Sequence, residues 1–142
     1  MRLVSLPAIC MAVVAFYVGC YHLFLYFRRK WTHDEDLSFA LTCITMGFYD
    51  VMCVGAYNAS SIAEGFMWQR SQVACLLLVG ATYSWFAVDY VSIRVNKVRN
   101  ALIFFFCGSA ILEYSSTLPV FWHTDQPAVK ILELPLGARV VY

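Results

Sequence analysis

Charge is what this sequence has least of. Asp, Glu, Lys and Arg make up 13% of its 142 residues, against roughly 25% in an ordinary soluble domain. Ten basic and nine acidic side chains leave a net charge of +1. That balance gives no electrostatic footprint for nucleic acid, and no basic stripe is interleaved with aromatics. The few charges gather in short clusters between long apolar runs, and 61% of the residues are hydrophobic. Water is the wrong solvent for such a chain, and the expectation is an all-α membrane protein whose charged clusters are interhelical loops.

The motifs of catalysis and metal binding are also missing. The sequence holds no nucleophile elbow, no HExxH, no glycine-rich phosphate loop and no Walker lysine, so neither an enzyme nor a bound cofactor is expected. Cys10, Cys20, Cys43, Cys53, Cys75 and Cys107 all fall inside apolar runs and none forms a CxxC pair, which reads as small buried hydrophobes rather than disulfides or metal ligands. His22, His33 and His123 fall at three different levels, so no metal site is expected. Cys20 and His22, two residues apart, lie on different helix faces and make no catalytic dyad. Arg2 before an apolar run resembles a signal peptide, but the run continues through Phe27 without a small-x-small cleavage site, and an uncleaved first span is expected.

Four apolar runs are long enough to cross a hydrocarbon core of roughly 30 Å. They cover about 3–27, 37–57, 73–92 and 101–122, a bundle of about four transmembrane helices occupying residues 1–122. Pro7 falls in the first turns of the first run, where it is tolerated. Thr32 followed by Glu35 is a capping-box pattern, and Asp34, Glu35 and Asp36 suit a helical first turn, so the second helix is predicted to start near Asp34. Residues 62–72 mix Phe66 and Trp68 with Glu64, Gln69 and Arg70; they are predicted to lie at headgroup level rather than to cross. Pro119 should bend the end of the fourth span. The tail, 123–142, is too polar to span, and 129–134 with 138–142 could form a hairpin around Pro135-Leu136-Gly137.

Lys and Arg in the short loops set the orientation. The basic loops 28–34 and 93–100 hold three each and the intervening loop only Arg70, so both basic loops are expected in the cytoplasm and both termini outside it. Trp31, Tyr57, Trp68 and Trp122 then fall near the interfaces, where amphipathic rings prefer to sit. The expected location is a bacterial inner or plasma membrane.

Ionisable groups inside a bilayer cost at least about 2.5–3.5 kcal/mol each on insertion scales, and they often mark function. Four stand out. His22 and Asp89 share a depth near the inner ends of their spans, as a candidate interhelical switch pair that would hold two helices in register. Asp50 and Glu113 share a depth in the outer half, with no Lys or Arg assigned inside the membrane to neutralise them. Such carboxyls must be protonated, share a proton, or bind a cation or ligand, which makes the pair a candidate ligand or proton site. The plain alternative is a neutral acid hydrogen-bonded to hydroxyls such as Tyr49, Ser115 or Ser116. Gly80 and Ser84 form a small-xxx-small pair that allows close helix approach.

Two stretches carry a resemblance: Gly19-Cys20-Tyr21-His22-Leu23-Phe24-Leu25-Tyr26-Phe27-Arg28-Arg29, and Tyr49-Asp50 through Tyr57-Asn58-Ala59-Ser60-Ser61-Ile62-Ala63-Glu64-Gly65-Phe66-Met67-Trp68-Gln69-Arg70. They resemble the membrane modules of bacterial multi-span sensors, the seven-transmembrane receptors with diverse intracellular signalling modules and related sensor kinases and cyclases. The likeness covers roughly the first hundred residues. It implies a non-catalytic input module, truncated or free-standing, that acts as a homo-oligomer or with a separate membrane or cytoplasmic signalling partner. The chain departs from that pattern in having about four spans and no output module. Residue chemistry alone leaves two other functions open: a small transporter or channel subunit moving protons or cations, and a structural subunit of a membrane complex.

Overall fold

The computed structural model describes residues 3–31, 34–91, 96–115, 131–133 and 139–141. A 3-10 turn, Leu3–Ser5, leads into four helices: α1 (Leu6–Arg28), α2 (Asp34–Asn58), α3 (Ile62–Tyr90) and α4 (Asn96–Tyr114). Beyond them, β1 (Ile131–Glu133) and β2 (Arg139–Val141) pair antiparallel with Ile131 opposite Val141. The first helix with its leading turn, α2 and α3 are each long and apolar enough to cross a membrane. In its described length α4 is shorter and carries Lys97, Arg99 and Glu113. The predicted fourth span ran on to Trp122, and its last residues, with Pro119, lie outside the described residues.

The helix ends follow from local chemistry. Pro7 sits in the first turn of α1, where a missing N–H leaves no bond unmade. At the other end Lys30 and Trp31 take left-handed backbone angles, φ 56° and 66°, a conformation that non-glycine residues adopt at a cost. Their amides return to the helix, Lys30 N–H to Phe27 O at 3.2 Å and Trp31 N–H to Tyr26 O at 3.3 Å. The Trp31 ring packs edge-on to Tyr26 and Phe27 at 5.3 and 5.0 Å between centroids, which offsets the backbone strain. The second helix opens with Asp34, Glu35 and Asp36 in its first turn, favoured by the free N–H groups there; Thr32, the proposed cap, lies outside the described residues.

Residues 62–72 are the first turns of a continuous α3. The start signal is Ser60-Ser61 with Glu64. The Glu64 N–H donates to Ser61 Oγ, while Glu64 Oε2 accepts from the Ser60 N–H at 2.8 Å and the Ser60 hydroxyl at 2.6 Å, a reciprocal capping box. No proline follows to stop the helix before Tyr90. At 1.5 Å per residue, α3 is about 43 Å long, so it tilts or extends past a core of roughly 30 Å.

Consecutive helices pack antiparallel, α1 on α2, α2 on α3 and α3 on α4, whereas among the described residues α1 makes no comparable contact with α4. The described helices thus form a row in which each packs on its neighbours in sequence. Its contacts use small residues. Ala12, Ala40, Ala74, Ala81 and Ala110 are buried, while Tyr17, Phe24, Phe104 and Ile111 face outward. That is how helices approach in lipid, where apolar tails compete for every apolar side chain and close van der Waals packing decides. Gly19 marks the tightest α1–α2 approach: a β-carbon there would sit 2.8 Å from Ile44 Cγ1 and 3.1 Å from the Ala40 carbonyl oxygen. The expected close approach at Gly80 is made against the Phe106 ring of α4. Replacing Gly19 with Leu should destabilise the protein by about 1–3 kcal/mol through overpacking, read as a lower unfolding midpoint in detergent; an unchanged midpoint would mean that α1 and α2 do not cross there.

Candidate functional site

One polar or ionic cross-link, or more, ties each packed pair of helices. Between α1 and α2 the tie is Asp36, in the first turn of α2 and only 7% exposed. Its Oδ1 accepts from His22 Nδ1 at 3.0 Å and its Oδ2 from Arg29 Nη1 at 2.7 Å. The carboxylate therefore holds one donor from each of the last two turns of the preceding hairpin arm, and the Phe39 ring closes edge-on over His22 at 4.6 Å. Between α2 and α3 the Thr45 and Thr82 hydroxyls meet at 3.1 Å, and the Gln72 amide donates to Cys53 Sγ at 3.0 Å. Between α3 and α4, Arg99 donates to Asp89 Oδ1 at 3.2 Å.

His22 and Asp89 are thus not partners. Both lie at the basic end of the row, but each is taken by a nearer group across its own hairpin: Asp36 for His22, Arg99 for Asp89. The sequence reading gave Asp36 to the helix dipole and Arg29 to the loop. An antiparallel hairpin with a short turn brings residues at similar distances from the turn face to face, and both pairs follow from that symmetry.

Asp50 and Glu113 are not linked by a hydrogen bond or ion pair among the described residues. Asp50 lies on α2, partly exposed. Glu113, in the last turn of α4, is fully buried at 0% exposure, and no donor among the described residues reaches either of its carboxyl oxygens. A polar group left so in an apolar medium costs free energy that a helix of the same shape without it would not lose. A cation of α3 reaches its backbone but is not bonded to its carboxyl. Arg70, assigned to a headgroup segment, lies two turns inside the helix, and its Nε donates to the Glu113 backbone oxygen at 2.7 Å. Arg70 thereby satisfies one of the open carbonyls at the end of α4. Its contact with α4 was not expected because residues 62–72 were placed at headgroup level, outside the third span.

Beside this level lies an open-sided groove of about 490 Å³ between α2, α3 and α4, with almost wholly apolar walls. No group of three or more His, Cys, Asp or Glu side chains is arranged to hold a metal ion among the described residues. In comparisons with known proteins, no family model, curated protein or solved structure matches the chain.

The two buried acids should respond oppositely to substitution. Asp36→Asn leaves His22 and Arg29 without their charged acceptor and should destabilise the protein by about 1–3 kcal/mol. Glu113→Met removes two unpaired oxygens at similar volume and should stabilise it by up to a similar amount, about 1–3 kcal/mol. Chemical unfolding of both variants in one detergent checks the pair; a destabilised Glu113→Met would show that the carboxyl is a packing element.

Proposed function

We propose that the chain is a non-catalytic sensory or signal-transducing membrane module, with Glu113 and Arg70 at its signal-receiving level. The observation that carries this reading is Glu113: an acid held wholly buried and without a donor, at the contact of α4 with α3. Such a group destabilises the state in which it is found, so proton or ligand binding at it can shift the α3–α4 arrangement. The Asp36 and Asp89 ion pairs at the other end hold the hairpins in register, so a displacement at the Glu113 level is carried along rigid helices. The resemblance to multi-span bacterial sensors points the same way. In this reading the fourth helix crosses the membrane, the basic loops face the cytoplasm, and the output belongs to a separate partner or to another part of the signalling assembly.

The transporter reading has less support. The acids fall in two groups at opposite ends of the row, and among the described residues no chain of hydrogen bonds joins them.

The test uses protein in lipid nanodiscs with Trp68 as its only tryptophan, since Trp68 packs against Gly55 across the α2–α3 contact. Glu113→Gln should change Trp68 fluorescence at constant pH, and Glu35→Gln, at an exposed acid, should leave it intact. Fluorescence unaltered by Glu113→Gln would sink the assignment, and proton flux into proteoliposomes would favour the transporter instead.

A further inference from the structure

Two acids at the helix contacts are met by cations, Asp36 by Arg29 at 2.7 Å and Asp89 by Arg99 at 3.2 Å. Asp50 is met by none. It makes no hydrogen bond or ion pair among the described residues, and it is only partly buried. From Asp50 to Asn58, where α2 ends, the helix runs on for about 12 Å. With α2 across a membrane, so short a side chain does not reach water from that depth.

The carboxyl stands on a free side of α2. Ala40, Ile44 and Gly47 meet α1 at Gly19 and Phe16, while Thr45 and Cys53 meet Thr82 and Gln72 of α3. Between these two lines, at the spacing of three and four residues that marks one helix face, run Cys43, Met46, Asp50, Val54 and Tyr57. None of the five is buried, and Met46 is 44% exposed. The apolar groove opens elsewhere: Met52, in its wall, is two residues on from Asp50 and so about 200° round the helix.

An ionisable side chain in hydrocarbon is costly alone and is ordinarily paired. Of the cations in the described helices and their turns, Arg28, Arg29, Lys30, Lys97 and Arg99 lie at the far end of the row, and Arg70 is bonded to α4. A second copy of these helices therefore brings no cation free at the depth of Asp50. At that depth every backbone N–H and C=O needs a partner within its own segment, so a polypeptide that carries a cation there is itself a transmembrane helix.

We propose that the Asp50 face of α2 docks a separate transmembrane helix that carries a Lys or Arg at the level of Asp50, with Cys43, Met46, Val54 and Tyr57 against its apolar flanks. This surface supplies the partner that the sensory reading expects. The two stand separately: Glu113→Gln should leave docking unchanged, and a failure to dock leaves the Glu113 response standing.

The probe is a Leu–Ala transmembrane peptide with one Lys near its centre and a dansyl group at one end, mixed with the full chain in phosphatidylcholine vesicles. Energy transfer from the protein's tryptophans reads association. Asp50→Asn should raise the peptide concentration needed by about tenfold or more, the loss of one charge-assisted hydrogen bond. Replacing the peptide's Lys with Leu should weaken association to the same degree, and Asp50→Glu, which keeps the charge, should retain it. If Asp50→Asn alters the helical circular dichroism, the reversed pair takes its place: Asp50→Lys should bind a peptide with a central Glu more tightly than the Lys peptide. No association, equal association of the Leu peptide, association that ignores the charge at residue 50, or self-association of the protein that Asp50→Asn abolishes would each overturn the proposal, the last by making a second copy the occupant.

Discussion

The structure depends on one constraint: between helices in lipid, apolar side chains give little net attraction, so the helices must be held by close backbone approach and by polar groups that find each other. The chain meets it one hairpin at a time. Gly19 lets α1 and α2 come close, and Asp36 then takes His22 and Arg29 across the same hairpin. Thr45 with Thr82 does the corresponding work between α2 and α3, and Asp89 with Arg99 between α3 and α4. Every one of these links joins neighbours in sequence. The result is a row of helices whose first and last members, among the described residues, make no extended contact.

Within that frame Glu113 is the exception. Asp36 and Asp89 are each held by a cation, while Glu113 has a cation close by that binds its backbone instead of its carboxyl. Arg70 binds the backbone of that residue and leaves its carboxyl without a donor among the described residues, and the proposed sensory role rests on that buried acid.

Much of the fold was legible in the sequence. Apolar run lengths marked the helices, and the acids Asp34, Glu35 and Asp36 marked the start of α2 because the dipole argument needs no tertiary information. The start of α3 was misplaced because Phe66, Trp68 and Arg70 suggested an interface, while the shorter-range signal at Ser60, Ser61 and Glu64 was the decisive one. The site was less legible. Depth along a span fixes which residues share a level but not which helices are neighbours, so His22 was matched with Asp89 by depth alone when Asp36 stood across its own hairpin. Glu113 was visible as an intramembrane acid; its contact with Arg70 depended on α3 being continuous. The seam between α1 and α4 had no sequence signal, since a row and a closed bundle share the same helix lengths and loops.

The central claim is an antiparallel row of helices in a membrane, with its basic end inside and the Glu113–Arg70 level toward the outside. It is tested most directly by replacing Ser60 and Lys97, one at a time, with Cys in a background without native cysteines, and treating intact cells with a membrane-impermeant thiol reagent. Labelling at residue 60 and none at 97 is the expected result. Labelling at 97 with none at 60 would invert the protein, and labelling at both would contradict a crossing by α3.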